Sequence, residues 1–212
     1  MRRIVIFAGW IVWMWVGTGM AQEAITQSAL GLDRFLEFAL GTSSVSGTVA
    51  KTRNGRIVLR EPVLNQRPLS GHVTYGRWLY NLAPVNFGYA LRLDVHGLAT
   101  TGSPQITWIN PGFEFRAGIP LRYVRVYGTL GLGGTLLLHQ TTDGVTSTYV
   151  TFNWQYAFGA QLFLTTALGV YVENVHARPF GRLERTRERE NVVYTMQRLR
   201  LSAWRFGITI AY

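Results

Sequence analysis

The last stretch of the chain, Leu201–Tyr212, reads LSAWRFGITIAY and alternates with a period of two. Its even positions carry bulky apolar side chains: Trp204, Phe206, Ile208, Ile210 and Tyr212. Its odd positions carry small or polar side chains and one arginine: Ala203, Arg205, Gly207, Thr209 and Ala211. Such alternation is typical of a β-strand whose two faces meet different surroundings. The fold therefore depends on which solvent touches the bulky face.

Similar alternation recurs upstream and predicts an all-β chain. Clear segments are found at 85–98, 107–118, 122–139, 149–163 and 167–176. Weaker ones at 30–41 and 71–80 bring the total, with the final stretch, to eight. Charged residues make up only 15% of the chain, whereas aromatic residues make up 13% and glycines number 23. That composition favours strands over a solvated helical protein.

The connections between these segments differ in length in a regular way. Short links are expected at 81–84, 119–121 and 164–166, and longer ones at 42–70, 99–106, 140–148 and 177–195. Short turns at one rim and long loops at the other are typical of a transmembrane β-barrel. We therefore predict an eight-stranded antiparallel up-and-down barrel with both termini at the periplasmic rim.

The first 21 residues have the pattern of a cleavable signal peptide. Arg2 and Arg3 precede an apolar run from Ile4 to Val16, and small residues follow up to Ala21. An uncleaved anchor is the alternative, but the run is shorter than the ~20 residues that span a bilayer as a helix. We expect 22–212 to form a single barrel domain. The chain has no cysteine, so its stability cannot come from disulfides.

Charged residues on the non-bulky faces decide between a membrane and a soluble barrel. A soluble ligand-binding barrel would place these charges outside and the aromatic side chains inside. In a bilayer the closed barrel turns its apolar face outward and its polar face inward. An eight-stranded lumen is narrow enough to be filled by side chains, and buried charges must pair. We therefore predict a plugged interior with a charge network of Arg92, Asp94, Glu114, Arg116, Arg125, Glu173 and Arg205.

Three stretches of the chain resemble the small eight-stranded outer-membrane β-barrels of the OmpA/OmpX type, including porin-like β-barrel domains of Gram-negative bacteria. They are RFGITIAY, NPGFEFRAGIPLRYVRVYGTLGLGG and FNWQYAFGAQLFLTTALGVYVE. The resemblance implies location in the cell outer membrane, no cofactor, and a final strand that the barrel-assembly machinery reads. It would make Phe206, Ile208, Ile210 and Tyr212 the assembly signal, although they also fit as plain lipid-facing residues.

The sequence offers no strong catalytic or metal-binding motif. The four histidines, His72, His96, His139 and His176, are expected at the loop ends of their strands, with spacing that does not indicate ligation. Asp94 and His96 share a face but have no serine next to them, as a hydrolase would need. We expect a non-enzymatic protein with a role in envelope integrity or surface contacts. A lipid A-modifying enzyme and a narrow channel stay open as alternatives.

Basic residues indicate which kind of molecule the outer rim contacts. Of the 21 basic residues 20 are arginines, and residues 43–69 carry five basic residues against Glu61 alone. Arginine suits bidentate contact with phosphate, and lipopolysaccharide supplies phosphate at an outer rim. The lipid-phosphate candidates are Arg198, Arg200, Arg182 and Arg185, although arginines in a solvated loop paired with nearby glutamates would look the same. We expect outer-membrane lipids as partners, a monomer, and no nucleic acid.

Overall fold

A computed structural model describes residues 33–82, 84–98, 105–121, 123–140, 146–181, 183–187 and 192–212. The predicted signal peptide and the predicted start of the first strand at residue 30 lie outside these residues. Within the described ranges, no helix has the length and apolar character needed to cross a membrane. The strands are β1 (Arg34–Arg53), β2 (Arg56–Leu82), β3 (Val85–Leu98), β4 (Gln105–Leu121), β5 (Val124–Gln140), β6 (Thr146–Phe163), β7 (Leu168–Pro179), β8 (Leu183–Arg187) and β9 (Val192–Ala211).

The strands form one closed antiparallel sheet. Consecutive strands pair from β1 to β7, β7 pairs with β9, and β9 pairs back with β1 to close the ring. The short β8 pairs with the first residues of β9, on the same side of β9 as β7. It therefore continues the line of β7 toward the outer rim and does not add a ninth strand to the ring. The wall is therefore eight strands wide, as predicted, with β8 as an addition that the sequence pattern did not indicate.

The side chains alternate between the outside of the barrel and its interior. Phe206 is 65% exposed and Leu130 is 59% exposed, whereas Arg205, next to Phe206, is 1% exposed. The soluble alternative, with aromatic side chains inside and guanidinium groups outside, is therefore wrong. An exterior of bulky apolar side chains is stable when hydrocarbon surrounds it, because a closed barrel leaves no backbone group unpaired in the wall.

Both ends of the barrel wall meet at the rim with the short turns. The backbone of Arg34 exchanges hydrogen bonds with that of Tyr212, at 3.2 and 3.0 Å. Arg34 is exposed, and its place at this rim spares it the cost of facing the middle of the bilayer. The neighbouring Arg77 also points outward and forms an ion pair with Asp33 at the same rim.

The predicted long loop at 42–70 is wrong. β1 and β2 continue through this region as a hairpin that turns at Asn54 and Gly55, with φ of 51° and 76°. Two consecutive residues with positive φ define the tight hairpin turn for which Asn-Gly is the preferred sequence. Small and polar residues in 42–53 hide the alternation, so only the Asn-Gly pair signalled the hairpin. The predicted loop 177–195 likewise contains β8 and the start of β9.

The interior changes character along the barrel axis. Toward the short turns, at the level of the bulky exterior, the interior is polar and charged. Toward the opposite rim it is closed by an apolar cluster, whose larger members include Val45, Ile106, Trp108, Leu137, Tyr149, Tyr194, Met196 and Leu201. The prediction of a polar interior therefore describes only the half nearer the short turns. The other half resembles a soluble barrel, because its exterior carries polar residues such as Ser44 and Arg200.

Candidate functional site

Among the residues that the structure describes, four arginines and four carboxylates lie in the interior near the short turns, each at most 5% exposed. They come from β1, β3, β4, β5, β7 and β9, so nearly every part of the wall contributes. The equal numbers give this cluster no formal net charge. Its members are Glu37, Arg92, Asp94, Glu114, Arg116, Arg125, Glu173 and Arg205.

Arg116 binds two carboxylates at once. Its Nη1 and Nη2 donate to the two oxygens of Glu37 at 2.9 and 2.7 Å, and its Nε donates to Glu114 at 2.6 Å. Bidentate pairs of this kind are among the strongest hydrogen bonds in proteins. Arg92 extends the chain of charges, with its guanidinium 3.6 Å from Glu114 and 3.8 Å from Asp94.

Asp94 is the second centre of the network. Arg205 lies 2.9 Å from its Oδ1 and 3.4 Å from Glu173, so it joins β3 to β7 and β9. The ring of His72 also contacts Asp94. The expectation that His72 lies at the loop end of its strand is wrong. Because β2 begins at Arg56, His72 lies in the middle of the wall, and it faces the interior with 4% exposure.

Arg125 lies near the short-turn rim, among aromatic side chains. Its guanidinium is 4.4 Å from the ring centre of Trp78 and 5.1 Å from that of Phe163. Its Nη1 donates to the side-chain oxygen of Gln161 at 3.5 Å. Cation–π contacts of this kind stabilise a buried arginine in a desolvated site.

An amide layer separates the charged network from the apolar cluster. Asn110 donates to Gln155 at 3.0 Å and to Asp94 at 3.4 Å, and Asn153 donates to Thr135 at 2.6 Å. All four residues of this layer, Asn110, Thr135, Asn153 and Gln155, are at most 1% exposed. Alternation along their strands predicts the inward direction of these four side chains, but the sequence alone assigns them no role. Their shared depth in neighbouring strands depends on the register, which alternation alone does not fix.

A hydroxyl, an imidazole and a carboxylate lie in a row in the interior, in the order found in hydrolases with a catalytic triad. The hydroxyl of Thr74 contacts Nε2 of His72, whose Nδ1 contacts Asp94. All three residues are at most 4% exposed. They lie buried between the amide layer and the Arg116 pairs.

The remaining histidines occupy different surroundings. His96 and His139 face the interior and are buried. His176 faces outward, where its ring stacks on Tyr156 with a centroid distance of 5.0 Å. All three lie within three residues of the loop end of their strand, as expected from the sequence.

On the outer surface, the wall is interrupted between β7 and β9. Their pairing ends at Ala177 and Leu201, and pairing on this side of β9 resumes between Leu183 and Met196. Between these points a bulge puts Arg198 into the left-handed region, with φ of 56°. The bulge changes the alternation of β9, so Met196 and Leu199 both face inward while Arg198 and Arg200 are exposed.

Of the other lipid-phosphate candidates, Arg182 lies outside the described residues, and the backbone of Arg185 is described in β8. The four assembly-signal candidates point outward, with exposures of 65% for Phe206, 44% for Ile208, 38% for Ile210 and 48% for Tyr212. That placement fits lipid contact, and the reading of these residues by assembly machinery stays a prediction.

Comparison with known proteins gives similarity at the level of structure. No family model and no curated protein matches the chain. The crystal structure of Neisserial surface protein A is similar with a TM-score of 0.55 and 10% identity, covering 84% of this chain and 97% of that one. Ail, the attachment invasion locus protein of Yersinia pestis, is similar with a TM-score of 0.50 and 12% identity, covering 85% of this chain and 99% of that one. This chain has the fold of the small eight-stranded outer-membrane β-barrel proteins.

Proposed function

We propose that this protein is a non-enzymatic outer-membrane barrel that makes contacts at the cell surface through a projecting β-hairpin. The hairpin consists of residues 44–65, in the outer parts of β1 and β2. Pairing between β2 and β3 stops at Leu69 and Leu98, so β2 runs 13 residues further, to Arg56, without β3 beside it. This extension is the observation that carries the proposal.

The tip of the hairpin combines positive charge with exposed apolar side chains. Arg53, Arg56 and Arg60 are exposed. Between them Ile57 is 63% exposed and Val58 is 54% exposed. Exposed apolar side chains beside an open strand edge favour pairing with another chain, and the arginines favour an acidic one.

The filled interior supports the non-enzymatic part of the proposal and argues against a channel. Water or ions would have to cross both the Arg116 and Asp94 pairs and the apolar cluster around Trp108. Small outer-membrane barrels of this width are filled by side chains. We therefore assign function to the outer surface and give the interior the role of holding the barrel together.

Removing the hairpin arginines should weaken binding to a polyanion. We expect the combined variant R53Q, R56Q and R60Q, embedded in lipid nanodiscs, to bind immobilised heparin at least tenfold more weakly than the unchanged protein, since the loss of even one charge-assisted contact of roughly 1.5–3 kcal/mol corresponds to about tenfold or more. The control is R34Q with R77Q, which removes two exposed positive charges at the opposite rim. Equal loss of binding in both variants, or no loss in the first, would refute the assignment to the hairpin.

A further inference from the structure

We propose that the interruption between β7 and β9 is a binding site for the phosphate group of an outer-leaflet lipid. The site, here called the lateral cleft, has a volume of about 200 Å³. Its rim carries Arg178, Arg198 and Arg200, and its floor is formed by Leu183, Met196 and Leu199. The proposal does not depend on the role of the projecting hairpin.

The height of the cleft in the wall matches the outer headgroup region. Along β9 the outward row is apolar from Tyr212 to Trp204 and becomes polar at Ser202 and Arg200. A strand crosses the hydrocarbon in about 9–11 residues. Counted from Tyr212, this distance ends close to Ser202, so Arg200 and Arg198 lie where lipid phosphates are found.

The chemistry of the cleft fits a phosphorylated lipid. The described residues that line it include three arginines and no carboxylate. Guanidinium groups bind phosphate oxygens in bidentate geometry. The floor residues are at most 6% exposed and apolar, so they offer no competing acceptor to the arginines. A cleft of about 200 Å³ has room for a phosphate group between the three arginines.

Two local features of the chain hold the arginines in place. Arg198 and Arg200 lie two residues apart on β9, so alternation turns both to the outer side, and the bulge at Arg198 lets Met196 face inward beside Leu199. On the facing strand, the guanidinium of Arg178 lies 5.8 Å from the ring centre of Trp154. Trp154 lines the cleft as well, and amphipathic aromatic side chains are enriched at the level of lipid headgroups. The cleft is thus built from residues of β6, β7, β8 and β9, with its charges on one side of the wall.

The test measures lipid retention by native mass spectrometry. The full-length mature barrel in detergent is incubated with lipid A that carries its phosphates, with the same lipid after phosphate removal, and with excess inorganic phosphate as competitor. We expect retention of the phosphorylated lipid only, and about a tenfold or greater loss of retention in R198Q with R200Q. R34Q, which removes an exposed arginine at the opposite rim, should retain the lipid.

Each alternative outcome would overturn the proposal. Equal retention of the two lipids would mean that the acyl chains bind and the phosphate does not matter. Full displacement by inorganic phosphate would mean that the site takes free phosphate and not a lipid. Unchanged retention in R198Q with R200Q would place the phosphate elsewhere. Heat-modifiable gel mobility of each variant confirms that the barrel is folded before the comparison is made.

Discussion

Replacing Arg116 with alanine should lower the free energy of unfolding by about 3–5 kcal/mol. The substitution leaves Glu37 without the bidentate partner that binds it at 2.7 and 2.9 Å, in a site where both residues are at most 2% exposed. The cost arises because an unpaired carboxylate is held away from water. The measurement is urea unfolding of the barrel refolded into lipid vesicles, followed by tryptophan fluorescence and by gel mobility.

A double-substitution cycle separates the lost pair from a general loss of packing. We expect R116Q with E37Q to cost less than the sum of the two single substitutions, because the double variant leaves no orphaned charge at Glu37. Arg60 is exposed, so R60A is the control for removing an arginine. It should change the free energy of unfolding by no more than about 0.5 kcal/mol. An R116A variant no less stable than R60A would show that the interior pairs contribute nothing to stability.

An arginine placed on the outer face should lower the free energy of unfolding at mid-bilayer height and change it little outside the bilayer. Leu130 is 59% exposed and lies six residues above the start of β5, near the middle of a span of about 9–11 residues. We expect L130R to lower the free energy of unfolding in vesicles by about 2–4 kcal/mol, the cost of arginine facing mid-bilayer lipid.

The matched control for L130R is S44R on β1. Ser44 is also exposed, but it lies beyond the apolar row that ends at Leu40. Near or outside the interface an arginine costs about 0–1 kcal/mol. If S44R and L130R were equally stable in vesicles, the exterior at Leu130 would be in contact with water.

The wall of the barrel could be predicted from the sequence because lipid imposes a strict alternation. In β3 and β9 the bulky outward and the small or polar inward residues separate around Leu91 and Phe206, and the structure has the same separation; in β5 the row through Leu130 also points outward, while the bulky Tyr127 faces inward. The alternation marks the strand only where hydrocarbon touches it. Beyond the bilayer, in 42–53, both faces of β1 carry small or polar residues, and the strand was mistaken for a loop.

The inward direction of the charged residues was likewise predictable, whereas their partners were not. Alternation places Arg116 and Glu37 on inward faces, but they are 79 residues apart in the chain, and their contact across the lumen depends on the registers that relate β1 to β4 through β2 and β3. The role of His72 was missed because the length of β2 was underestimated. The apolar cluster around Trp108 was missed because its residues share the inward parity of the charges below them.

The lateral cleft shows a different limit of sequence reasoning. Arg198 and Arg200 were chosen as arginines expected at the outer rim, on a strand assumed to be unbroken. The bulge at Arg198 interrupts the alternation of β9, so Met196 and Leu199 both face inward while the two arginines stay outside. Arg178 and Trp154 could not be added from sequence, since they reach the cleft through the pairing of β6 with β7.

Spin labelling in vesicles tests most directly whether hydrocarbon surrounds the bulky face. The chain has no native cysteine, so single cysteines at Leu130, Phe206 and Ser44 each carry one nitroxide label. We predict frequent collisions with dissolved oxygen and rare collisions with a water-soluble nickel chelate at Leu130 and Phe206, and the reverse at Ser44. Frequent collisions with the nickel chelate at Leu130 and Phe206 would contradict the placement of this barrel in a membrane.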